Sequence, residues 1–343
     1  MGTEIQEAGE DLRVAPAPKV SVLMVTYNHE NFIAQAIESV LMQETDFEYE
    51  LVIGEDCSTD NTRQIVLDFA RRYPKQIRLL LPERNLGAHK NFVLTHQACR
   101  GEYVALLEGD DYWLRPEKLQ IQVDFLDSNS EFVTCFHDVC VMDEVSGESF
   151  LSSRSINKDV FTIEDFLVAN PIQTCSTMFR NRLFDNFPDW FHTLQLGDWP
   201  LHILNAQHGR VAFINEVLGT YRVHGGGIWS TQNEAKRIEA TADMLEHFNR
   251  FFEFKYNSLI SSSLSEMYRL LSVVHLDVQQ KVNARIYFRK SLIQSFRARA
   301  LSKPNILKRI FVVALRLYSP AIYSTIRKIA QEKRYGHVQV IPK

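Results

Sequence analysis

The chain of 343 residues has no apolar run of 18 or more, so no bilayer-spanning helix is expected. Its five cysteines, at 57, 99, 135, 140 and 175, form no Cys-x-x-Cys pair and no Cys/His cluster at zinc spacing. That pattern excludes a zinc ribbon and fits a reduced, cytoplasmic chain. The first 18 residues lack a basic start and an apolar core, so they read as a flexible tail rather than a signal peptide. No Gly-x-Gly-x-x-Gly follows the first predicted strand, which removes nicotinamide-dependent oxidoreduction. Thr26-Tyr27-Asn28-His29-Glu30 is not the glycine-rich phosphate loop that a nucleotidyltransferase on a similar sheet would usually need there.

Acids are almost missing from the C-terminal end. Residues 281–343 hold 15 Lys/Arg and one acid, Glu332, a net of +14; the chain total is −4, so residues 1–280 carry −18. Lys and Arg alternate there with Ile, Leu, Phe and Tyr at helical spacing, a pattern of amphipathic helices that suits an anionic membrane surface. The same apolar face could instead pack internally or on a second subunit. Stacking platforms for nucleic acid are not evident.

Apolar residues make up 45% of the chain, ample for a core. The first half alternates predicted strands (Val20–Val25, Tyr49–Gly54, Ile77–Leu81, Tyr103–Leu107) with helices (Asn31–Leu41, about Ser58–Tyr73, Asn91–Ala98, Pro116–Leu126). This order predicts a doubly wound, mostly parallel sheet, whose ligands bind beyond the carboxyl ends of the strands. Further strands are expected at Val133–Met142, Thr174–Phe179 and Val211–Val217, and helices at Ile163–Ala169 and from Asp198. A boundary near residue 230 separates residues 19–230 from an all-helical region, 231–343, broken near Pro304 and Pro320.

Three polar clusters fall at strand ends: Thr26–Asn28, Glu55–Asp60 and Glu108–Asp111. Glu108-Gly109-Asp110-Asp111 offers the oxygen ligands that Mg²⁺ or Mn²⁺ prefers, although alone it reads equally as a solvated turn. Asp56 could accept the ring N–H of a uracil and Tyr27 could stack on a base; each is also an ordinary turn residue. Asp198 sits where a helix N-cap is expected and could serve as a general base, with Trp199 lining an acceptor pocket. His224, before three glycines, could meet a metal or a diphosphate.

Taken in order, Pro18–Asn28, Gly54–Thr62, Asn85-Leu86-Gly87, Gly101–Trp113 and Leu196–Ser230 resemble glycosyltransferase family two, the inverting family with a GT-A fold. The resemblance implies that Tyr27 and Asp56 hold the nucleotide, with Thr26, Asn28, Glu55, Asn85, Gly87, Glu108 and Gly109 around the donor. It places Asp110 and His224 on a divalent metal (Mn²⁺ or Mg²⁺) and Asp198 as the base. It further implies a nucleotide-sugar donor, favouring UDP, and a glycan or lipid-linked acceptor; oligomeric state stays open. The cysteine usage suggests a cytoplasmic chain, and the basic C-terminal helices offer a peripheral place on the inner face of the cell membrane. Glu stands at 55 and 108 where Asp is more frequent, and Cys57 where Gly is usual. The Gln/Arg-x-x-Arg-Trp signature of processive members is not found, which fits one addition per binding event. A nucleotide-sugar-binding protein without catalysis is the non-enzymatic alternative.

Overall fold

The computed structural model describes residues 5–8, 17–227, 231–299 and 304–335. The chain divides into two compact units, Met1–Thr231 and Gln232–Lys343. The first unit is α/β. Its strands begin with β1 (Ile5–Ala8), β2 (Val20–Thr26), β3 (Tyr49–Glu55), β4 (Ile77–Pro82) and β5 (Tyr103–Glu108). Helices α1 (Ile33–Leu41), α2 (Thr62–Arg72) and α3 (Ala88–Ala98) connect them. Next come β6 (Tyr112–Trp113), α4 (Lys118–Ser128), β7 (Phe132–Asp143), β8 (Ser149–Leu151), β9 (Val160–Phe161), α5 (Ile163–Phe166), β10 (Thr177–Arg180), α6 (Asp198–Ala206) and β11 (Arg210–Val223).

The sheet runs β1-β4-β3-β2-β5-β10-β7-β11-β6. Strands β4, β3, β2 and β5 are parallel, and β10 is antiparallel to both β5 and β7. Strand β2 is apolar on both faces because both are covered. Val20, Val22 and Met24 pack with Ile33, Ile37, Val40 and Val66, whereas Leu23 joins Val52, Leu106 and Phe179 on the other side. Such two-sided burial explains a continuous apolar run instead of an alternating one. In α1 the spacing Ile33, Ala36, Ile37, Val40 forms one buried stripe.

Three differences from the sequence expectations have local causes. Ile5–Ala8 pairs antiparallel with Leu79–Pro82, whose edge would otherwise leave backbone groups unpaired; the rest of the expected tail lies largely outside the described residues. Thr174–Ser176 is a turn of 3₁₀ helix, and the strand there starts at Thr177. The region from Arg210 onward is one 14-residue strand, with register shifts between Ile214 and Gly219 that do not end it.

The second unit is helical: α7 (Glu234–Phe251), α8 (Asn257–Asp277), α9 (Lys281–Arg297), α10 (Pro304–Tyr318) and α11 (Pro320–Tyr335). Asn233 caps α7 by accepting the Lys236 N–H at 3.0 Å. Pro304 and Pro320 each open a helix, where their missing N–H costs nothing. Small residues let α8 and α9 approach closely: Ser272 donates to the Ala284 carbonyl and Ser291 to the Ser265 carbonyl, both at 2.8 Å. Among the described residues no helix is long and apolar enough to cross a membrane.

Candidate active site

The chain lays β3 and β4 to one side of β2, then returns to place β5 on the other. That reversal opens a crevice beyond the carboxyl ends of β2 and β5. Thr26 and Glu55 are register partners there, and the Gly109 N–H donates to the Val25 carbonyl at 3.0 Å. A Cβ at Gly109 would lie 2.5 Å from Thr26 Oγ1 and 2.9 Å from His29 Nδ1, so only glycine fits between the two loops.

One rim is built around Asp56. Its Oδ1 accepts the Leu86 N–H at 2.7 Å and its Oδ2 the Gly87 N–H at 2.9 Å. Asn85 donates its amide to the Asp56 carbonyl at 3.0 Å, and Gly87 takes φ +85° to complete the turn. Burial raises the Asp56 carboxyl pKa, against the pull of those two backbone donors. Glu55 is fully buried; one oxygen accepts the Ser58 N–H at 2.6 Å and the other is paired with Arg63. Asn28, at φ 56°, donates its N–H to Ser58 Oγ at 2.9 Å and accepts the Thr59 N–H at 2.8 Å. Tyr27, which follows Thr26 at the end of β2, is 39% exposed.

The floor is acidic. Carboxylate oxygens of Glu108, Asp110 and Asp111 lie within 4.8 Å of one another. Burial, then the charges of Asp110 and Asp198, pushes the Glu108 pKa up to about 8. Asp111 is raised well above the usual range by burial and by Asp110 and Glu108. Asp110 is shifted the other way: burial opposes its charge, but a hydrogen bond from His224 and the nearby His29 prevail. His224 Nε2 is 3.0 Å and His29 Nε2 3.6 Å from Asp110 Oδ2. The Asp110 bond raises the His224 pKa, while burial lowers that of His29.

Arg222 ties this floor to β11. Its backbone N–H donates to Asp111 Oδ1 at 2.8 Å and its guanidinium to the Asp110 carbonyl at 2.6 Å. The same guanidinium stacks 4.4 Å from the Tyr112 ring and bonds Gln35. Asp111 Oδ2 is buried and has no hydrogen-bond partner among the described residues.

Asp198 forms the opposite wall. The helix N-cap is Gly197, so Asp198 is the first helical residue and not the cap itself. Asn170 donates to its Oδ2 at 3.3 Å, and burial raises its pKa. It is near enough for its charge to act on Glu108. The Trp199 indole N–H donates to the Phe166 carbonyl at 2.7 Å, which fixes the half-buried ring against the end of α5. His89 sits 3.6 Å from where a Gly197 Cβ would be, so the first turn of α3, just after the loop held by Asp56, meets the loop that leads to Asp198. The sequence reading missed His29, Gln35, Arg63, Asn170 and Arg222. Only Arg222 carried a signal, as a cation two residues before His224.

Residues 21–187 match the family described as Glycosyl transferase family 2. An uncharacterized glycosyltransferase of Nostoc sp. is 35% identical over 267 residues, 73% of this chain and 81% of that protein. The chain belongs to glycosyltransferase family 2. An uncharacterized Mycobacterium tuberculosis protein is 37% identical over 220 residues, 64% of this chain but only 62% of its own length. The Escherichia coli UDP-Glc:alpha-D-GlcNAc-diphosphoundecaprenol beta-1,3-glucosyltransferase WfgD is 27% identical over 266 residues, 76% of this chain and 94% of that one. Staphylococcus aureus TarS 1–349 in complex with UDP-GlcNAc superposes with TM-score 0.54 at 19% identity, over 81% of this chain and 91% of that one. Mannosyltransferase PcManGT from Pyrobaculum calidifontis, with GDP-Man and Mn²⁺, gives 0.52 at 16%, over 94% and 89%. At these identities the likeness establishes the fold, which is GT-A.

Proposed function

We propose that this protein transfers one sugar from a nucleoside-diphosphate sugar to an acceptor hydroxyl with inversion, in bacterial surface-glycan synthesis. The observation that carries the reading is the juxtaposition of an acidic cluster, the Asp110–His224 pair and the separate carboxylate of Asp198 at one switch point. Asp56 and the ring of Tyr27 supply the nucleotide end, with Thr26, Asn28, Asn85 and Gly87 shaping it. Glu55 is committed to Arg63 and Ser58, so its part is to brace Asp56. UDP is favoured because WfgD and the TarS complex carry uridine donors in their names. WfgD's diphosphoundecaprenol acceptor makes a lipid-linked glycan the favoured acceptor, with Trp199 on that side.

The acidic floor fits a divalent cation. Its donors are hard oxygens, one of them buried without a hydrogen-bond partner, and Glu108 and Asp111 are shifted toward holding protons by burial and by the neighbouring carboxylates. Asp110, with Glu108 and Asp111, would hold Mn²⁺ or Mg²⁺, and His224 would orient Asp110 beside the diphosphate. Bound there, the ion would neutralise the leaving diphosphate.

Asp198 would accept the acceptor hydroxyl's proton. A C–O bond would form at the anomeric carbon on the face opposite the breaking bond to diphosphate, so one displacement inverts that centre. Burial makes Asp198 a stronger base than a solvated carboxylate, and Asn170 fixes its orientation. Asp198→Asn should bind the donor as well as wild type and turn over roughly 10²–10⁴ more slowly. Comparable turnover in the two proteins removes Asp198 from this role. Donor binding without transfer by the wild type to any acceptor supports the non-catalytic alternative.

A further inference from the structure

Helix α9 carries Lys281, Arg285, Arg289, Lys290 and Arg297 and no acidic residue. Its buried face, from Ala284 and Phe288 to Ser295, is used up in packing. At 3.6 residues per turn, Val282, Ile286, Ile293 and Phe296 form a stripe on the opposite side. All four are exposed, Val282 by 71% and Phe296 by 75%. Isolated apolar residues on a surface need no explanation, but a contiguous row does. Arg289 lies within the stripe, with Arg285 and Arg297 on its flanks. Two neighbouring helices repeat the pattern: Leu307 and Phe311 are exposed beside Lys308 on α10, and Ile322 and Ile326 before Arg327 and Lys328 on α11.

Charge selects the occupant. A second copy docking through this face of α9 about a two-fold axis would bring Arg285, Arg289 and Arg297 against the same three cations of its partner. A nucleic acid would satisfy the cations but give Phe296 and Ile293 no apolar layer. An anionic bilayer supplies phosphates at one depth and acyl chains just beneath, and arginine stems are long enough to reach between them. We propose that α9, with the outer residues of α10 and α11, docks on an anionic lipid surface with the apolar stripe at the headgroup–acyl boundary. The inference stands apart from the transferase reading, since it needs no active-site residue.

The test is flotation of the full chain with phosphatidylglycerol–phosphatidylcholine vesicles and with phosphatidylcholine alone. Wild type should favour the anionic vesicles by about tenfold or more, and lose binding as salt rises. Ile293→Asp with Phe296→Asp should lower binding by about tenfold or more, as should Arg285→Glu with Arg289→Glu and Arg297→Glu. Circular dichroism and melting should match wild type; if the double aspartate variant does not fold, Phe296→Ser serves in its place. Equal partition to both vesicle types, no flotation, or undiminished flotation of the stripe variants overturns the proposal. So does a sedimenting oligomer that the stripe variants dissolve while vesicle binding is unchanged.

Discussion

Gly109→Ala puts the site's most crowded contact under direct test. The new methyl would sit 2.5 Å from Thr26 Oγ1, 2.8 Å from Thr26 Cβ and 2.9 Å from His29 Nδ1. Neither side can retreat easily: Gly109 is bonded to the Val25 carbonyl, and Thr26 is held in the β2–β3 register. Overpacking of this kind costs about 1–3 kcal/mol, which for a unit of this size lowers Tm by roughly 2–12 °C. The atom most free to yield is the His29 ring, which faces Asp110. A displacement of about 1 Å there should reduce transfer by up to roughly 10²-fold. Calorimetry and a steady-state assay read the two effects. The control is Gly225→Ala, where a Cβ would meet nothing within 4 Å and both values should stay at wild type. A Gly109→Ala protein with wild-type melting and wild-type turnover refutes the claim that this close approach builds the site.

Other perturbations have equally definite signs. Chelation by EDTA should abolish transfer, and Mn²⁺ or Mg²⁺ should restore it; titration calorimetry should show affinity falling as pH drops, because protons compete for the same carboxylates. Full activity after chelation removes the metal from the reaction. Glu50 is buried, and although burial opposes its charge, bonds from Arg100 and Ser21 hold its pKa below the usual 4.5. Its contribution is therefore complete above pH 4.5 and lost as pH falls through the depressed value. Glu50→Gln should cost about 3 kcal/mol near neutrality, and the deficit should shrink in acid melts. Lys118 is buried over the Trp113 ring at 3.7 Å, and burial pulls its pKa from 10.5 to about 7. Because the unfolded chain binds that proton more readily, its penalty is greatest below pH 7 and fades toward pH 10.5. Lys118→Met should then melt higher than wild type at pH 7, with the gap closing in alkaline buffer. A Lys118→Met protein that melts lower at pH 7 means the cation–π contact outweighs desolvation.

The first sheet was legible because its strands are short apolar runs between polar loops. Each predicted strand from Val20 to Leu107 lies within the observed one. That ligands belong beyond the carboxyl ends of these strands followed from the βαβ order, whereas the switch point between β2 and β5 needed the observed strand order. The partners of the acidic floor were not legible, and the reason is sequence distance. Arg222 is 112 residues from Asp110 and Gln35 is 187 from Arg222, so no local pattern links them. Glu55 looked like a ligand because motif position says nothing of how its oxygens are used. Arg63, the second residue of α2, takes one of them. Strand β11 was expected to stop at Val217, where its register on β7 shifts, but it continues to Val223.

Charge balance explains why those distant partners matter. Three carboxylates within 4.8 Å are mutually destabilising, and burial deepens the penalty. Arg222 and His224 arrive on one strand end with a shared spacing of two, but they do different things. Arg222 spends its donors on backbone and side chains of the floor, so it holds shape and is not available to a ligand. His224 gives one nitrogen to Asp110, which keeps that single carboxylate charged while Glu108 and Asp111 shift toward neutrality. The protein's own cations therefore fall short of neutralising the floor, and the deficit is what a divalent ion would fill. A floor built only for stability would have no such deficit: replacing Asp111, which accepts the Arg222 N–H, by Asn would then lower Tm or leave it unchanged and would leave Mn²⁺ affinity unchanged. If Asp111 helps to hold a cation, the same replacement should relieve repulsion and raise Tm without metal, yet weaken Mn²⁺ binding. Those opposite signs in one variant separate a site from a turn.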